Sequence, residues 1–321
     1  MAEYKDDIQG AEALKVKHDE LLKEIGRVVY GQKEIIEQVL TVMFAGGHCL
    51  LVGVPGLAKT LLVNTISKAL DLKYKRIQFT PDLMPSDITG SEILDENKQF
   101  KFVKGPVFAN IILADEINRT PPKTQSALLE AMQEHTVTVS GNNYKLEEPF
   151  FVLATQNPVE QEGTYPLPEA QLDRFMFNVI LDYPDLEDEI TIVKNTTKDT
   201  VIEPQKVLSS KDIIYFRDLI KRAPVADNVI KYAVSLAAKT RPKTKNSDPL
   251  ADKYLNWGAG PRASQYLITG AKTYALLHGK YSPDIDDVKA VALPVLRHRI
   301  IRNYQAEAEG LTEDILIKKM M

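Results

Sequence analysis

A loop of small residues that ends in lysine and threonine is the clearest chemical feature of the sequence. It is close to the pattern G-x-x-x-x-G-K-S/T and lies between an apolar run and a helical pattern, the context that a phosphate-binding loop requires. Backbone N–H groups would surround the phosphates, Lys59 would reach the β- and γ-phosphates, and the Thr60 hydroxyl would bind magnesium. Ala58 departs from the pattern and requires a negative φ or a tolerated strain. The alternative is a chance Gly/Pro turn. The residues predicted to bind nucleotide are Gly53, Val54, Pro55, Gly56, Leu57, Ala58, Lys59, Thr60 and Leu61.

Carboxylates and an amide follow two further apolar runs. Asp115 ends the run 111–115 and Glu116 comes next, whereas Asn157 follows the run 149–154. Asp115 can hold the magnesium directly or through water, and Glu116 can orient and polarise the attacking water. Asn157 can hydrogen-bond the γ-phosphate or the water. In isolation, a solvated strand end would explain the two carboxylates and an Asn-Pro turn would explain Asn157.

Two arginines could complete such a site. Arg174 comes just before an apolar run, and Arg262 lies at a helix start in Gly260-Pro261-Arg262. An arginine near a transferring phosphoryl group neutralises developing charge, and another subunit can supply it. Each arginine alone would be explained as a surface ion pair, which is worth little. Arg119 is a looser candidate for a contact between subunits.

The elements that would position these side chains alternate between strand and helix, which predicts a mostly parallel sheet covered on both faces. Residues 136–146 alternate around Gly141-Asn142-Asn143 and predict a hairpin. Thr120 is predicted to cap the helix that Pro121 opens. The predicted strands are 49–53, 75–80, 111–115, 149–154 and 177–181.

The pattern changes near Tyr183-Pro184-Asp185, beyond which only helical periods follow. We therefore predict an α/β fold in two domains. Residues 1–184 would hold the sheet and its helices, and residues 185–321 would form an all-helical domain. Ser282-Pro283 predicts a helix start in that second domain.

The bulk composition excludes several classes of protein. Of 321 residues, 44% are hydrophobic and 26% charged, which is typical of a globular protein. A net charge of −4 argues against a protein built to coat nucleic acid. Cys49, the single cysteine, reads as a small buried hydrophobe, and no Cys/His cluster has zinc-site spacing. We see no secretory signal and no stretch that could cross a bilayer, and we expect a reduced, cytoplasmic compartment.

In this order and over roughly residues 20–315, these elements resemble an AAA+ module, and longer strings narrow the likeness to the MoxR family. The residues that carry this resemblance are 114–119, 121–133, 153–158, 161–175 and 296–300.

The resemblance implies a role for each candidate residue. Lys59 and Thr60 would belong to Walker A, including the alanine before them, which the family's own loop also carries. Asp115 and Glu116 would be Walker B, and Asn157 would be sensor 1. Arg174 would be an arginine finger acting in trans and Arg262 would be sensor 2 acting in cis. We assign Tyr30, Gly31 and Gln32, in the break between the first two helical patterns, to the same nucleotide site.

The resemblance also implies an architecture and an activity. A five-stranded, mostly parallel AAA+ core with a helix-2 insert at 90–108 and a hairpin at 136–146 would be followed by a C-terminal helical lid. The chain would hydrolyse ATP with Mg²⁺ in a hexameric ring and act as a chaperone-like machine on a client that the sequence does not identify. Its relatives usually partner von Willebrand factor A domain proteins. Gly260, where relatives often have serine, puts the local loop geometry in question.

Two other functions stay open. A DNA-dependent motor or helicase-like ring would use the hairpin 136–146, but its tip has only Lys145 nearby, which is poor material for binding phosphates. A non-hydrolysing nucleotide switch that presents a surface would have no need of Glu116. We therefore expect no membrane insertion and regard nucleic acid as the weaker partner.

Overall fold

The backbone contacts of the computed structural model divide the chain into two compact units. The structure describes residue 4 and residues 6–94, 96, 98–159, 163–197 and 202–321. What we call the sheet unit comprises Asp19–Leu167 and Val179–Ile214. What we call the helical unit comprises Met1–His18, Pro168–Asn178 and Tyr215–Met321. The domain boundary after residue 184 stays a prediction.

Helices and short strands alternate along the first half of the chain, and helices dominate the second. The strands are β1 (Cys49–Gly53), β2 (Tyr74–Gln78), β3 (Gly90–Leu94), β4 (Phe100–Lys104), β5 (Ile111–Asp115), β6 (Thr136–Val139), β7 (Asn142–Lys145), β8 (Phe151–Gln156), β9 (Phe177–Leu181), β10 (Leu255–Trp257) and β11 (Ile301–Arg302). The helices are α1 (Asp7–Gly26), α2 (Lys33–Ala45), α3 (Lys59–Ala69), α4 (Pro85–Thr89), α5 (Pro122–Glu134), α6 (Glu169–Leu172), α7 (Leu186–Thr196), α8 (Ser210–Arg222), α9 (Asp227–Lys239), α10 (Pro249–Tyr254), α11 (Pro261–Leu277), α12 (Ile285–Leu296), α13 (Tyr304–Ala308) and α14 (Glu313–Met320).

The main sheet confirms the predicted five strands, although β8 begins and ends two residues after its predicted run. Their order is β2-β5-β8-β1-β9, and the pairs β2–β5, β5–β8 and β8–β1 are parallel. The three inner strands β5, β8 and β1 are nearly continuous apolar runs, because each is covered on both faces. β2 lies at one edge and begins and ends one to two residues before the predicted run. The carboxyl ends of β2, β5, β8 and β1 therefore meet at one edge of the sheet.

The helix after β5 begins later than predicted. α5 starts at Pro122 with Pro121 at its N-cap position and no side-chain cap, so the prediction that Thr120 caps it was wrong. A single 3₁₀ turn, Ile117–Arg119, lies before the helix, and the Thr120 hydroxyl donates to the Ile117 carbonyl at 3.4 Å instead. Thr120 lies one residue before the N-cap position, where a side chain would accept from the first N–H groups of the helix.

Two antiparallel hairpins extend from the sheet unit. β3 pairs with β4 in the predicted insert 90–108, of which residues 95 and 97 lie outside the described residues. β6 pairs with β7 within the predicted hairpin 136–146. The rings of Phe102 and Tyr144 stack with centroids 4.0 Å apart, so each hairpin supports the other.

The helical unit has its own core, formed mainly where α11 packs on α12 and α9. Fully buried residues of this core include Leu267, Ala271, Val288 and Val295. A short antiparallel ribbon of β10 and β11 interrupts the helices, which the sequence pattern did not predict. α12 begins two residues after the predicted Ser282-Pro283 start, where Asp284 caps it. Among the described residues, no helix is both long and apolar enough to span a bilayer.

Candidate nucleotide site

The loop between β1 and α3 has the backbone of an anion cradle. Gly53 ends β1 so close to β9 that an added Cβ would lie 2.7 Å from the Leu181 carbonyl oxygen. Gly56 has a φ of +87°, which a side chain would strain. α3 then starts at Lys59 with no side-chain cap. The N–H groups of its first turn therefore point outward and can bind phosphate oxygens.

Ala58 adopts the left-handed conformation, with φ 53° and ψ 24°. Of the two possibilities that the sequence left open, the structure has the strained one. A left-handed non-glycine residue costs roughly 1–2 kcal/mol. Strain of this kind persists where the surrounding structure imposes it, which is common at ligand sites.

Lys59 is half-buried, and its ammonium group donates to the Gly53 carbonyl at the opposite end of the loop. Burial lowers the pKa of Lys59, while the charges of Asp115 and Glu116 act in the opposite direction. The lysine thus lies within the electrostatic reach of both predicted carboxylates. Thr60 follows it and is exposed to solvent at the start of α3.

Asp115 ends β5 with both carboxylate oxygens engaged. The Thr155 hydroxyl of β8 donates to Oδ1 at 2.7 Å. Arg76 of β2 donates to Oδ2 from Nε at 3.0 Å and from Nη2 at 2.6 Å. The partners come from the two strands that flank β5, which the register of the sheet brings together.

Glu116 also depends on Thr155. Its backbone is left-handed, with φ 58° and ψ 50°. Its N–H donates to the Thr155 hydroxyl oxygen at 2.8 Å. Its side-chain Oε2 accepts from Gln78 Nε2 at 3.1 Å and from Arg119 Nη1 at 3.0 Å. Thr155 is buried, with 1% of its surface exposed. Its hydroxyl group therefore fixes both the Asp115 carboxylate and the backbone N–H of Glu116.

Sequence reasoning missed Thr155, Arg76 and Gln78. Thr155 lies two residues before Asn157, within residues 153–158, which carry the family resemblance. Its position near the end of a buried strand is the feature that could have identified it. Arg76 and Gln78 are two residues apart on β2 and thus share one face, but only the β2–β5 register pairs Gln78 with Asp115. That register is not visible in the sequence.

Asn157 follows β8 and is 6% exposed. Its side-chain Oδ1 accepts from the Val159 N–H at 3.1 Å, which is the local Asn-Pro turn that the sequence also suggested. Because this turn uses the side-chain oxygen of Asn157, the side-chain amide nitrogen is the group that could donate to a phosphate oxygen.

The segment with Tyr30, Gly31 and Gln32 is tied to the phosphate loop. Gln32 Nε2 donates to the Leu57 carbonyl at 3.1 Å. A cavity of about 470 Å³ lies beside it, lined by Leu22, Val29, Tyr30, Gly31, Ile36, Thr191 and their neighbours. The volume is in the usual range for a small-molecule site.

Arg174 and Arg262 belong to the helical unit, whereas the residues described above belong to the sheet unit. Arg262 lies in the first turn of α11, and its Nη1 lies 3.1 Å from Asp173 Oδ2, as the ion-pair alternative expected. The carbonyl of Arg174 accepts from the Tyr266 hydroxyl at 3.4 Å. Gly260 is the N-cap residue of α11 in an extended conformation, and an added Cβ there would meet open space. The local backbone is therefore one that serine could also adopt.

The donors present fit nucleotide and magnesium. Among the residues that the structure describes, no three His, Cys, Asp or Glu side chains are grouped to hold a metal by themselves. Mg²⁺ takes few protein ligands and completes its shell with phosphate oxygens and water. A carboxylate and a hydroxyl beside an uncapped helix N-terminus suit that coordination.

Comparison with known proteins agrees with this geometry. Residues 48–177 match the ATPase family associated with various cellular activities (AAA), and residues 248–319 match the AAA lid domain. The chaperone MoxR1 of Mycobacterium tuberculosis is 40% identical over 93% of this chain and 79% of its own length. The chain belongs to the MoxR family of AAA+ ATPases.

Other similarities agree with that membership. The uncharacterized protein YeaC of Bacillus subtilis is 40% identical over 99% of this chain and 95% of its own. A crystal structure of a candidate ATPase from Cytophaga hutchinsonii superimposes with a TM-score of 0.90 at 45% identity, covering 97% of this chain and 95% of that one. The MoxR-family fold, an AAA domain followed by a helical lid, therefore extends over nearly the whole chain.

Proposed function

We propose that this MoxR-family protein hydrolyses ATP to ADP and phosphate with Mg²⁺ and uses the energy to remodel partner proteins. One observation carries the proposal. Lys59 at the start of α3 lies within the field of Asp115 and Glu116, and the Thr155 hydroxyl holds both acidic residues in place. Groups from three segments would thus meet beside an uncapped helix N-terminus.

Binding of ATP would use the loop and the adjacent cavity. The N–H groups of residue 54 and residues 56–61 and the Lys59 ammonium would hold the phosphates, for which Lys59 leaves the Gly53 carbonyl. The base would enter the cavity at Tyr30 and Gly31, which Gln32 connects to the loop. The apolar lining from Leu22, Val29 and Ile36 suits a flat aromatic ring.

Thr60 and Asp115 would hold the magnesium ion, which when bound would neutralise phosphate charge. Asp115 Oδ1 is already oriented by Thr155, and Arg76 occupies Oδ2. A guanidinium at that oxygen competes with a cation, so Arg76 has to turn away or share the carboxylate when the site is loaded.

Glu116 would accept the proton of the attacking water. Its carboxylate is held by Gln78 and Arg119 at the carboxyl edge of the sheet. The side-chain amide of Asn157 would orient the water or a γ-phosphate oxygen. A switch that only binds ATP has no need of a carboxylate in this position, whereas a hydrolase does. We therefore favour ATP hydrolysis over the non-hydrolysing nucleotide switch.

Assembly would complete the site. We propose a homo-oligomer, in the form of a hexameric ring, in which Arg174 of one subunit reaches the ATP of its neighbour and Arg262 acts on the ATP of its own chain. Arg119 pairs with Glu116 within one chain, so we assign it no role between subunits. A chaperone-like role is supported by the name of the Mycobacterium relative, and a von Willebrand factor A domain partner and the cytoplasmic location are family-based expectations.

Nucleic acid is the weaker candidate ligand. The β6–β7 hairpin ends in Ser140, Gly141 and Asn142, with Lys145 as its basic residue. Neutral residues at the tip cannot release counterions from a phosphate backbone. Stimulation of the ATPase by DNA with a steep salt dependence would favour this alternative.

The test is Mg²⁺-dependent phosphate release measured over a wide range of protein concentration. The rate per subunit should rise with concentration, because Arg174 comes from another subunit. Glu116→Gln should retain ATP binding and lose turnover by roughly 100-fold or more, and Lys59→Ala should lose binding itself. Equal slow turnover by wild type and Glu116→Gln would contradict the hydrolase assignment.

A further inference from the structure

Arg299, in the string 296–300 noted in the sequence, is a buried arginine with an unusual number of acceptors. Its side chain is 2% exposed. Nε donates to Asp173 Oδ1 at 2.7 Å, Nη2 donates to the carbonyls of Asp173 at 2.9 Å and Phe175 at 2.6 Å, and Nη1 donates to that of Met176 at 3.3 Å. Nη1 also donates to the Val295 carbonyl. A guanidinium presents five N–H donors in a rigid plane, and this site uses that plane in full.

The acceptors lie on both sides of Arg174. Arg299 holds the carbonyls of residues 173, 175 and 176, and Tyr266 holds the carbonyl of Arg174 itself. His298 Nε2 lies 3.0 Å from the Phe175 carbonyl oxygen and 2.7 Å from Arg299 Nη1. Burial lowers the pKa of His298 well below its usual value, so the ring is neutral. The backbone that presents Arg174 is thus held at four consecutive residues.

The same set of hydrogen bonds includes Arg262. Asp173 places Oδ1 against Arg299 and Oδ2 against Arg262, so one carboxylate joins the two arginines. The guanidinium of Arg299 also lies 5.0 Å from the centre of the Tyr266 ring. All these residues belong to the helical unit.

We propose that Arg299 is a positioning residue that sets the direction of Arg174 by fixing the backbone on either side of it. This rests on the proposed role of Arg174 in trans. Because the grip uses several donors in one plane, lysine cannot replace arginine. A lysine would keep a charge beside Asp173, and with it the Arg262 contact, but would release the carbonyls.

The experiment measures ATPase activity of Arg299→Lys alone and in mixtures with Glu116→Gln subunits. Arg299→Lys alone should lose at least 10-fold in rate while its affinity for a fluorescent ATP analogue stays within twofold of wild type. Glu116→Gln subunits are inactive themselves but carry an intact Arg174. Mixing them in should therefore restore turnover at the Arg299→Lys sites, which a general folding defect would not allow.

Two controls distinguish a failure of the positioning role of Arg299 from a failure of the proposed trans role of Arg174. Arg174→Ala mixed with Glu116→Gln should recover in the same way, and no recovery there would refute the trans role itself. Recovery by Arg174→Ala but not by Arg299→Lys would overturn the positioning role alone. Arg297→Lys alters an arginine of the same string that pairs with Asp314 and the Asn178 carbonyl, and should keep its rate within threefold.

Should Arg299→Lys fail to fold, Tyr266→Phe replaces it in the same mixtures. That change deletes only the hydroxyl on the Arg174 carbonyl and keeps the ring beneath Arg299. A loss of at least twofold that Glu116→Gln subunits recover would support the proposal, and an unchanged rate would overturn it.

Discussion

At the residue scale, the hydroxyl of Thr155 organises more of the site than any side chain that carries the chemistry. It donates to Asp115 and accepts from the Glu116 backbone, so its single proton has one direction. Replacing it with an apolar group would leave a carboxylate oxygen and an N–H without this partner. Hydrogen bonds to charged groups are worth about 1.5–3 kcal/mol, and loss of one here would affect both metal holding and water activation.

Thr155→Val, which is nearly isosteric, should therefore lower turnover by roughly 10- to 100-fold, the rate equivalent of that energy. It should also reduce the increase in ADP affinity that Mg²⁺ produces, because Asp115 Oδ1 loses the hydrogen bond that orients it. Thr155→Ser keeps the hydroxyl and is the matched control. ADP titrations with and without Mg²⁺ measure the effect, and equal Mg²⁺ dependence in both variants would contradict it.

Strain is a second feature at this scale. Ala58 and Glu116 both have positive φ, at 53° and 58°, and both flank the predicted phosphate position. Positive φ is uncommon for alanine and glutamate, so the surrounding structure must impose it. The left-handed conformation of Glu116 turns the chain from the end of β5 into the 3₁₀ turn Ile117–Arg119.

At the scale of elements, α12 is the helix whose end leads to Arg299, and its start is built as a capping box. Asp284 accepts from the N–H groups of Asp286 at 2.9 Å and Asp287 at 3.1 Å, and Asp287 accepts in return from the Asp284 N–H at 2.9 Å. Lys280 donates to both carboxylates. Arg299 follows the C-terminal end of α12. A stable start to this helix therefore helps to hold Arg299 against the backbone around Arg174.

Asp284→Ala should lower the free energy of unfolding by about 1 kcal/mol at neutral pH, because an N-cap is lost. The hydrogen bond from Lys280, then that from the Asp287 N–H, lowers the pKa of Asp284 in the folded protein. A lowered folded-state pKa means that the contribution is present above the unfolded-state pKa and is lost as pH falls through the folded one. Urea unfolding should show the two proteins converging in acid, and a gap independent of pH would refute this.

At the scale of the whole molecule, the chain has two compact units, each with its own core. The phosphate loop and both carboxylates lie in the sheet unit, and Arg174 and Arg262 lie in the helical unit. Cooperative unfolding as one body cannot be assumed for such a chain. Trp257, the single tryptophan, lies exposed in the helical unit, so its fluorescence reports on that unit.

Glu116→Gln with ATP and Mg²⁺ should resist unfolding better than without nucleotide, since a ligand that binds only the folded state stabilises it. At 100 times the dissociation constant, the gain is about 2.7 kcal/mol. Lys59→Ala should show no such gain at the same concentration. Far-UV circular dichroism in urea measures the free energy of unfolding of both variants. An equal gain in Lys59→Ala would contradict the assignment of Lys59 to the nucleotide site.

Patterns confined to short stretches of sequence determined the strands, the phosphate loop and the candidates Asp115, Glu116 and Asn157. A buried parallel strand needs a continuous apolar run, and the residue that follows it must lie at the carboxyl edge of the sheet. The β10–β11 ribbon escaped such reasoning because two or three residues carry no period. Thr120 was misassigned because α5 begins one residue later than the Thr-Pro pattern indicated, which leaves Thr120 outside the N-cap position.

Tertiary structure alone decided which side chains hold the predicted ones. Thr155 and Arg76 reach Asp115 only because β8 and β2 pair with β5 in one register, and a shift of one residue would point them to the other face. Arg299 meets residues 173–176 across more than 120 positions of chain. Such contacts depend on how distant segments pack, and no local pattern encodes the pairing.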